Sequence, residues 1–133
     1  MPEVTAPVIP GADEVVRWFG NWPSFHDAEV LEIDLRREGM SSIRLHAFRM
    51  TSEIDATGHF VLDQHAEVTF WLEGISDLEL GDFSGQNVIF GLALEPVAAG
   101  FKLGISHCYG IAGYIEAARV SVSLKPGKPV EGS

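Results

Sequence analysis

The sequence predicts a mostly β (α+β) domain: an antiparallel β-sandwich or curled sheet of six to seven strands with one short N-terminal helix. Three observations lead to this class. Apolar and polar side chains alternate with period two over several stretches, as half-buried strands require. Those stretches lie close together and are divided by turns rich in Gly, Ser and Asp, the spacing of an antiparallel fold. A helical pattern is confined to residues 12–19.

Taken in order, residues 1–10 hold three prolines and no periodicity, which predicts an extended or loosely held arm. Ala12 to Phe19 reads as a helix of two turns. Asp13 and Glu14 complement the dipole at its start, and Gly20 suits its stop. So short a helix is not stable alone and must dock on the sheet through Val15, Val16, Trp18 and Phe19. Ala28 to Glu38 alternates, with Leu31, Ile33 and Leu35 on the expected inner face. Gly39-Met40-Ser41 reads as a turn into a second strand, Ser42 to Met50, with Ile43, Leu45 and Ala47 inward. Thr51 to Gly58 reads as a polar loop.

A third strand is clearest at Val68, Phe70 and Leu72, with Trp71 on the opposite face and a break expected at Gly74. Ser76 to Leu80 reads as a short separate strand, followed by a turn at 81–85. Val88, Phe90, Leu92 and Leu94 mark the next strand, then Phe101, Leu103 and Ile105 another. The last, Gly113 to Leu124, slips phase between Ala117 and Ala118, which predicts a β-bulge. Residues 125–133 form a Pro/Gly tail. No internal repeat is present, and 133 residues make one domain, 1–133, able to bury a core without a metal or disulfide.

Composition narrows the function. Hydrophobic residues make up 46% and charged residues 21%, ordinary for a globular chain. The single cysteine, Cys108, can form no internal disulfide. The first ten residues lack the basic start of a signal peptide, and no apolar run approaches a membrane span. A cytoplasmic, soluble protein is the expectation. The net charge of −10 argues against nucleic acid and anionic membranes as ligands. Between Arg49 and Lys102 there is no Lys or Arg, while nine acids fall there: Glu53, Asp55, Asp63, Glu67, Glu73, Asp77, Glu79, Asp82 and Glu95.

Several constellations merit weighing. His26-Asp27 suggests an acid/base dyad or metal ligands, but neighbours in an extended segment point apart. The competing reading is a turn-capping Asp beside a backbone-bonded His. His59, Asp63 and His65, or His107 with Cys108, lack the paired short spacings of structural zinc sites. The acids Glu73, Asp77, Glu79 and Asp82 lack the ordered ligand spacing of a calcium loop. No metal and no cofactor is therefore expected. Cys108 has only Lys102 nearby to activate it, and neither a nucleophile elbow nor a phosphate-binding glycine loop is present. Trp18, Phe19, Trp22 and Phe25 read as a hydrophobic lid on one end of the sheet, with a carbohydrate platform or partner pocket as the functional alternative.

The segment Asn21-Trp22-Pro23-Ser24-Phe25-His26-Asp27-Ala28-Glu29-Val30, with the alternating Leu31, Ile33 and Leu35 after it, resembles the opening of immunity protein family 50. These are small bacterial proteins associated with polymorphic-toxin systems. The runs Val68–Ile75 and Asp82–Ile89 are similar in character, and together the matches cover about a third of the chain. The resemblance implies a mostly β fold and neutralisation of a toxin by binding, with Trp18, Trp22, Phe25, His26 and Asp27 as a structural signature. It supplies no catalytic residues. Many toxins of such systems are nucleases with basic clefts, which an acidic partner would occlude. The expectation is a non-enzymatic immunity-type protein whose partner-binding residues include Glu73, Asp77, Glu79 and Asp82. The alternative is a small β-sandwich enzyme or carbohydrate-binding module using His26, Asp27 and the aromatics. A third reading is a structural subunit or homodimer formed through an exposed sheet edge.

Overall fold

The structure, a computed structural model, describes residues 7–129, apart from the side chains at positions 50–52, 60 and 107–109. One helix and six strands follow in order: α1 (Ala12–Phe19), β1 (Glu29–Asp34), β2 (Met40–Ile54), β3 (Phe60–Gly81), β4 (Val88–Val97), β5 (Gly100–Tyr109) and β6 (Ala112–Pro126). The sheet is antiparallel, ordered β1-β2-β3-β6-β5-β4, and it closes into a barrel through β1 and β4. Of the two expected arrangements, the curled sheet is the one adopted, with the curl carried to closure.

Period-two patterning explains the core. In β2, Ile43, Leu45 and Ala47 point inward and are buried, and across the ladder they meet Phe70, Val68 and Ala66 of β3. Phe70 and Leu72 in turn face Val122 and Val120 of β6. Leu103 and Ile105 of β5 and Ile115 of β6 complete the lining. Trp71 points out, and its indole N–H donates to Ser123 Oγ at 2.9 Å.

The helix covers one end. Val15 and Phe19 are buried, Val16 and Trp18 pack on the core, and Gly20 ends the helix in the left-handed conformation with its N–H on the Val16 carbonyl at 2.7 Å. Trp18 Nε1 donates to the Gln64 carbonyl at 2.9 Å, and Gln64 Nε2 returns a bond to the Trp18 carbonyl at 2.8 Å. The described end of the N-terminal arm is held, not loose. Ile9 is buried, and the Pro10 carbonyl accepts the Val122 N–H at 2.9 Å. Gly11 then passes so close to β6 that a Cβ there would lie 1.7 Å from the Val122 oxygen.

Six expectations are corrected, each by a bulge or a strand extension. In β1 the register slips between Val30 and Glu32, so Val30 is buried, Leu31 is only half-buried and Leu35 is exposed beyond the strand. In β4 two slips flank Ile89, the second leaving Phe90 as the extra residue, so Ile89 is buried and Phe90 is turned out, 60% exposed. The expected strand at Ser76–Leu80 belongs to β3, which runs for 22 residues. Gly74 bends β3 at a φ of 72° without breaking it, and the extra residue of the bulge falls at Ser76. In β6 the phase does slip after Ala117, but Ala118 and Arg119 are both exposed and the inward set resumes at Val120. The polar loop after β2 is shortened to the turn at Asp55–His59, because β2 continues to Ile54. Likewise β6 takes in Lys125 and Pro126, so the tail begins at Gly127.

Candidate functional site

Three places carry the functional side chains singled out from the sequence. The first is the barrel seam. Asp27 N–H bonds the Ile89 carbonyl at 2.9 Å, Ile89 N–H the Ala28 carbonyl at 3.0 Å, and Val30 N–H the Asn87 carbonyl at 2.8 Å. Phe25 and Asp27 both adopt positive φ, 62° and 66°, so residues 25–28 form a turn and not extended chain. That turn overturns the argument that His26 and Asp27 must point apart: His26 Nε2 lies 3.5 Å from Asp27 Oδ2. His26 Nδ1 donates to the Phe90 carbonyl at 2.9 Å, and the ring packs edge-on to Phe90 with centroids 5.1 Å apart. His26 borders two open grooves of about 300 and 520 Å³ on either side of Trp22-Pro23-Ser24.

Acid–base work at His26 would need a third group aimed at a shared point. The other ionisable side chain lining the smaller groove, Arg49, is instead held by Asp63 through two bonds of 2.8 Å. Trp22 and Phe25 are buried and meet Phe70 edge to face, with the three centroid separations between 5.7 and 6.2 Å. Buried rings offer no sugar-stacking face. Trp18, Trp22 and Phe25 therefore seal the barrel end, while His26 and Asp27 sit on its outer lip.

The second place is the outer surface of β2, β3 and β6. Glu67, nearly buried, takes an ion pair from Arg44 and lies 4.0 Å from Lys125. His46 Nε2 and His65 Nδ1 share a hydrogen bond of 2.9 Å, with Phe48 beside both rings. His65, Asp63 and His59 were candidate ligands together, but they do not converge. His65 faces His46, Asp63 is bound by Arg49, and His59 Nδ1 meets Thr57 Oγ1 at 2.9 Å. Among the described residues no group of three His, Cys, Asp or Glu side chains is placed to hold a metal ion. The side chains of His107 and Cys108 lie outside the described residues.

Burial first, then the neighbouring His65 and Lys128, hold the His46 imidazole below its ordinary value, with Glu67 pulling the other way. A base that binds its proton less readily when folded contributes stability above its unfolded value, near 6.5, that is lost as pH falls through it toward the folded value. The denaturation midpoint should accordingly fall between pH 7 and pH 5, and fall less in His46→Asn. Parallel pH profiles for the two proteins would refute the assignment.

The third place is acidic. On β3, Asp77 and Glu79 project outward, opposite Glu116 and Tyr114 of β6. The Tyr114 hydroxyl donates to Asp77 Oδ2 at 2.9 Å, and the Lys102 ammonium of β5 stands 4.6 Å from the Tyr114 ring centre. The bond to Asp77, partial burial and the field of Asp77, Glu79 and Glu116 together raise the Tyr114 hydroxyl above its ordinary value. Lys102 pairs in register with Glu116 on one side and Glu95 of β4 on the other.

Of the four acids expected to act together, only Asp77 and Glu79 share this face. Glu73 is engaged by Arg119, and Asp82 lies past the end of β3 with a φ of 63°, beside a groove of about 450 Å³ that also holds the exposed Phe83. Asp77, Glu79 and Asp82 have no ion pair among the described residues. Tyr114 and Glu116 went unnoticed in the sequence, and Lys102 was weighed only beside Cys108, because only the strand register brings the three beside β3. Their signal there is polar phase alone, alternating with the inward Leu103, Ile115 and Ala117.

The fold and site define a six-stranded antiparallel barrel, capped by one helix, with an acidic outer face. Comparison with protein-family models, curated proteins and solved structures found no match to this chain.

Proposed function

We propose that this protein is a non-enzymatic, immunity-type binder that neutralises a basic toxin, a nuclease being the best fit, by covering it with its acidic face. The observation that carries the reading is the unequal distribution of charge compensation. Arg36, Arg44, Arg49 and Arg119 are each committed to a carboxylate of this chain, whereas Asp77 and Glu79 stand on an open sheet face without a cationic partner among the described residues. A surface field of one sign attracts an oppositely charged protein and orients its approach. The resemblance of Asn21–Val30 to immunity protein family 50 points the same way. The expected setting is the bacterial cytoplasm, where such a partner would have to be met.

The test is association with a toxin encoded beside this protein. The charge-reversal triple Asp77→Lys, Glu79→Lys, Asp82→Lys should slow association at low salt by about tenfold or more and flatten its salt dependence. Growth protection in cells should fail in parallel. An association rate and a protection level both untouched by the triple reversal would sink the reading.

A further inference from the structure

Within the acidic face, neither a left-handed backbone nor a close neighbour requires glycine at position 104. Gly104 stands mid-strand in β5, pairing with Tyr114 on one side and Ala93 on the other. Its backbone is not in the left-handed region, and a Cβ built there would meet nothing nearer than the Ala93 carbonyl oxygen at 3.9 Å. Gly81 and Gly85 also have open space around them, but they lie at a strand end and in a turn. Glycine inside a strand weakens it, and where no bulge or crossing demands it, a common reason is the close approach of another chain. With Ala93 beside it, Gly104 leaves a shallow floor against the Tyr114 ring.

The rim of that floor is chemically specific. Asp77, Glu79 and Glu116 surround Tyr114, whose hydroxyl is anchored on Asp77. The ring already carries one cation, Lys102 at 4.6 Å, so its face is a seat for positive charge in this field. A guanidinium suits such a seat better than an ammonium, because it stacks flat on a ring while forking two N–H groups to a carboxylate. Tyrosine and arginine are also the residues most concentrated at binding hot spots.

We infer that the Tyr114 face docks an arginine-presenting segment of a basic protein. Its backbone lies on the Gly104–Ala93 floor, and its guanidinium replaces Lys102 on the Tyr114 ring. Charge complementarity selects the occupant: four carboxylates, Asp77, Glu79, Glu95 and Glu116, against the single ammonium of Lys102 repel nucleic acid and a second copy of this chain alike. This inference rests on the proposed function and adds the location and side-chain chemistry of the contact.

The experiment uses the full chain, labelled with ¹⁵N, titrated at fixed ionic strength with capped hexa-arginine and capped hexa-lysine peptides. Amide shifts should centre on Lys102, Gly104, Tyr114 and Glu116, with hexa-arginine bound about fivefold or more tighter than hexa-lysine. Gly104→Leu should weaken hexa-arginine binding about tenfold by filling the floor at unchanged charge. Lys102→Met should tighten it roughly threefold by vacating the ring. Shifts spread equally over the remote acids Asp13, Glu14 and Asp55, equal affinity for the two peptides, or indifference to both substitutions would overturn the inference. If Gly104→Leu does not fold, Lys102→Met decides alone, tighter binding supporting and weaker binding refuting. Loss of the peptide footprint while the charge-reversal triple still slows the toxin complex removes this inference only. A toxin complex indifferent to that triple removes the broader reading.

Discussion

Phe70→Ala should lower stability by about 3–5 kcal/mol, the cost of emptying a buried phenylalanine site that cannot collapse. Phe70 has no exposed surface and stands where three things meet: Ile43 of β2, Val122 of β6, and the edges of Trp22 and Phe25. Barrel walls on both sides are hydrogen-bonded ladders, so neither can move in to fill the space. A domain of this size has roughly 5–15 kcal/mol in all, so the variant should unfold at a much lower urea concentration with a similar slope. Phe70→Leu, which keeps most of the volume, should lose far less. A loss below about 1 kcal/mol for the alanine variant would mean that the ring is not the packing centre described above.

Asn87→Ala should cost about 2–4 kcal/mol, from buried groups left without partners. Asn87 is 3% exposed. Its Oδ1 accepts the N–H groups of Ser84 at 2.9 Å and Ile111 at 3.2 Å, and its Nδ2 donates to the Ser84 carbonyl at 2.6 Å. Alanine keeps none of these. The same residue's carbonyl receives the Val30 N–H across the seam, so the loss should be felt beyond the turn. Asn87→Asp retains the acceptor and should fall between wild type and alanine. Amide exchange at Ser84, Ile111 and Val30 should quicken in the alanine variant, and an unchanged pattern would contradict this role.

The legible parts of the fold were those where one local pattern suffices. Ala12–Phe19 declared itself by its acidic first turn and terminal glycine, and β2 and central β3 by unbroken alternation. Leu31 and Phe90 misled because a bulge exchanges faces without changing composition. In both cases the adjacent residue, Val30 or Ile89, is equally apolar and takes the inner position. Ser76–Leu80 looked separate because Gly74 usually interrupts, whereas here it bends a strand that continues. The candidate site was half legible. Acid density in residues 73–82 was plain, but its division was not: Glu73 lies opposite Arg119, 46 residues away. Tyr114, Lys102 and Gly104 join Asp77 only through pairing of β3, β6 and β5. The His26–Asp27 approach depends on left-handed backbone at Phe25 and Asp27, which non-glycine residues seldom reveal in sequence.

The strand order also sets the timing of assembly. β6, residues 112–126, lies between β3 and β5, so before it is added the other five strands can form only an open sheet, β3-β2-β1-β4-β5, joined through the seam of β1 and β4. Its two runs of local hairpins, β1-β2-β3 and β4-β5, are quick to form, but the open sheet encloses no core. The last strand acts as a keystone, making one ladder with β3 and another with β5. The closed barrel cannot exist until residues 112–126 are paired, and the acidic face, which spans β3, β6, β5 and β4, is completed in that same step. An outer face completed only when β6 pairs on both sides has no half-made version.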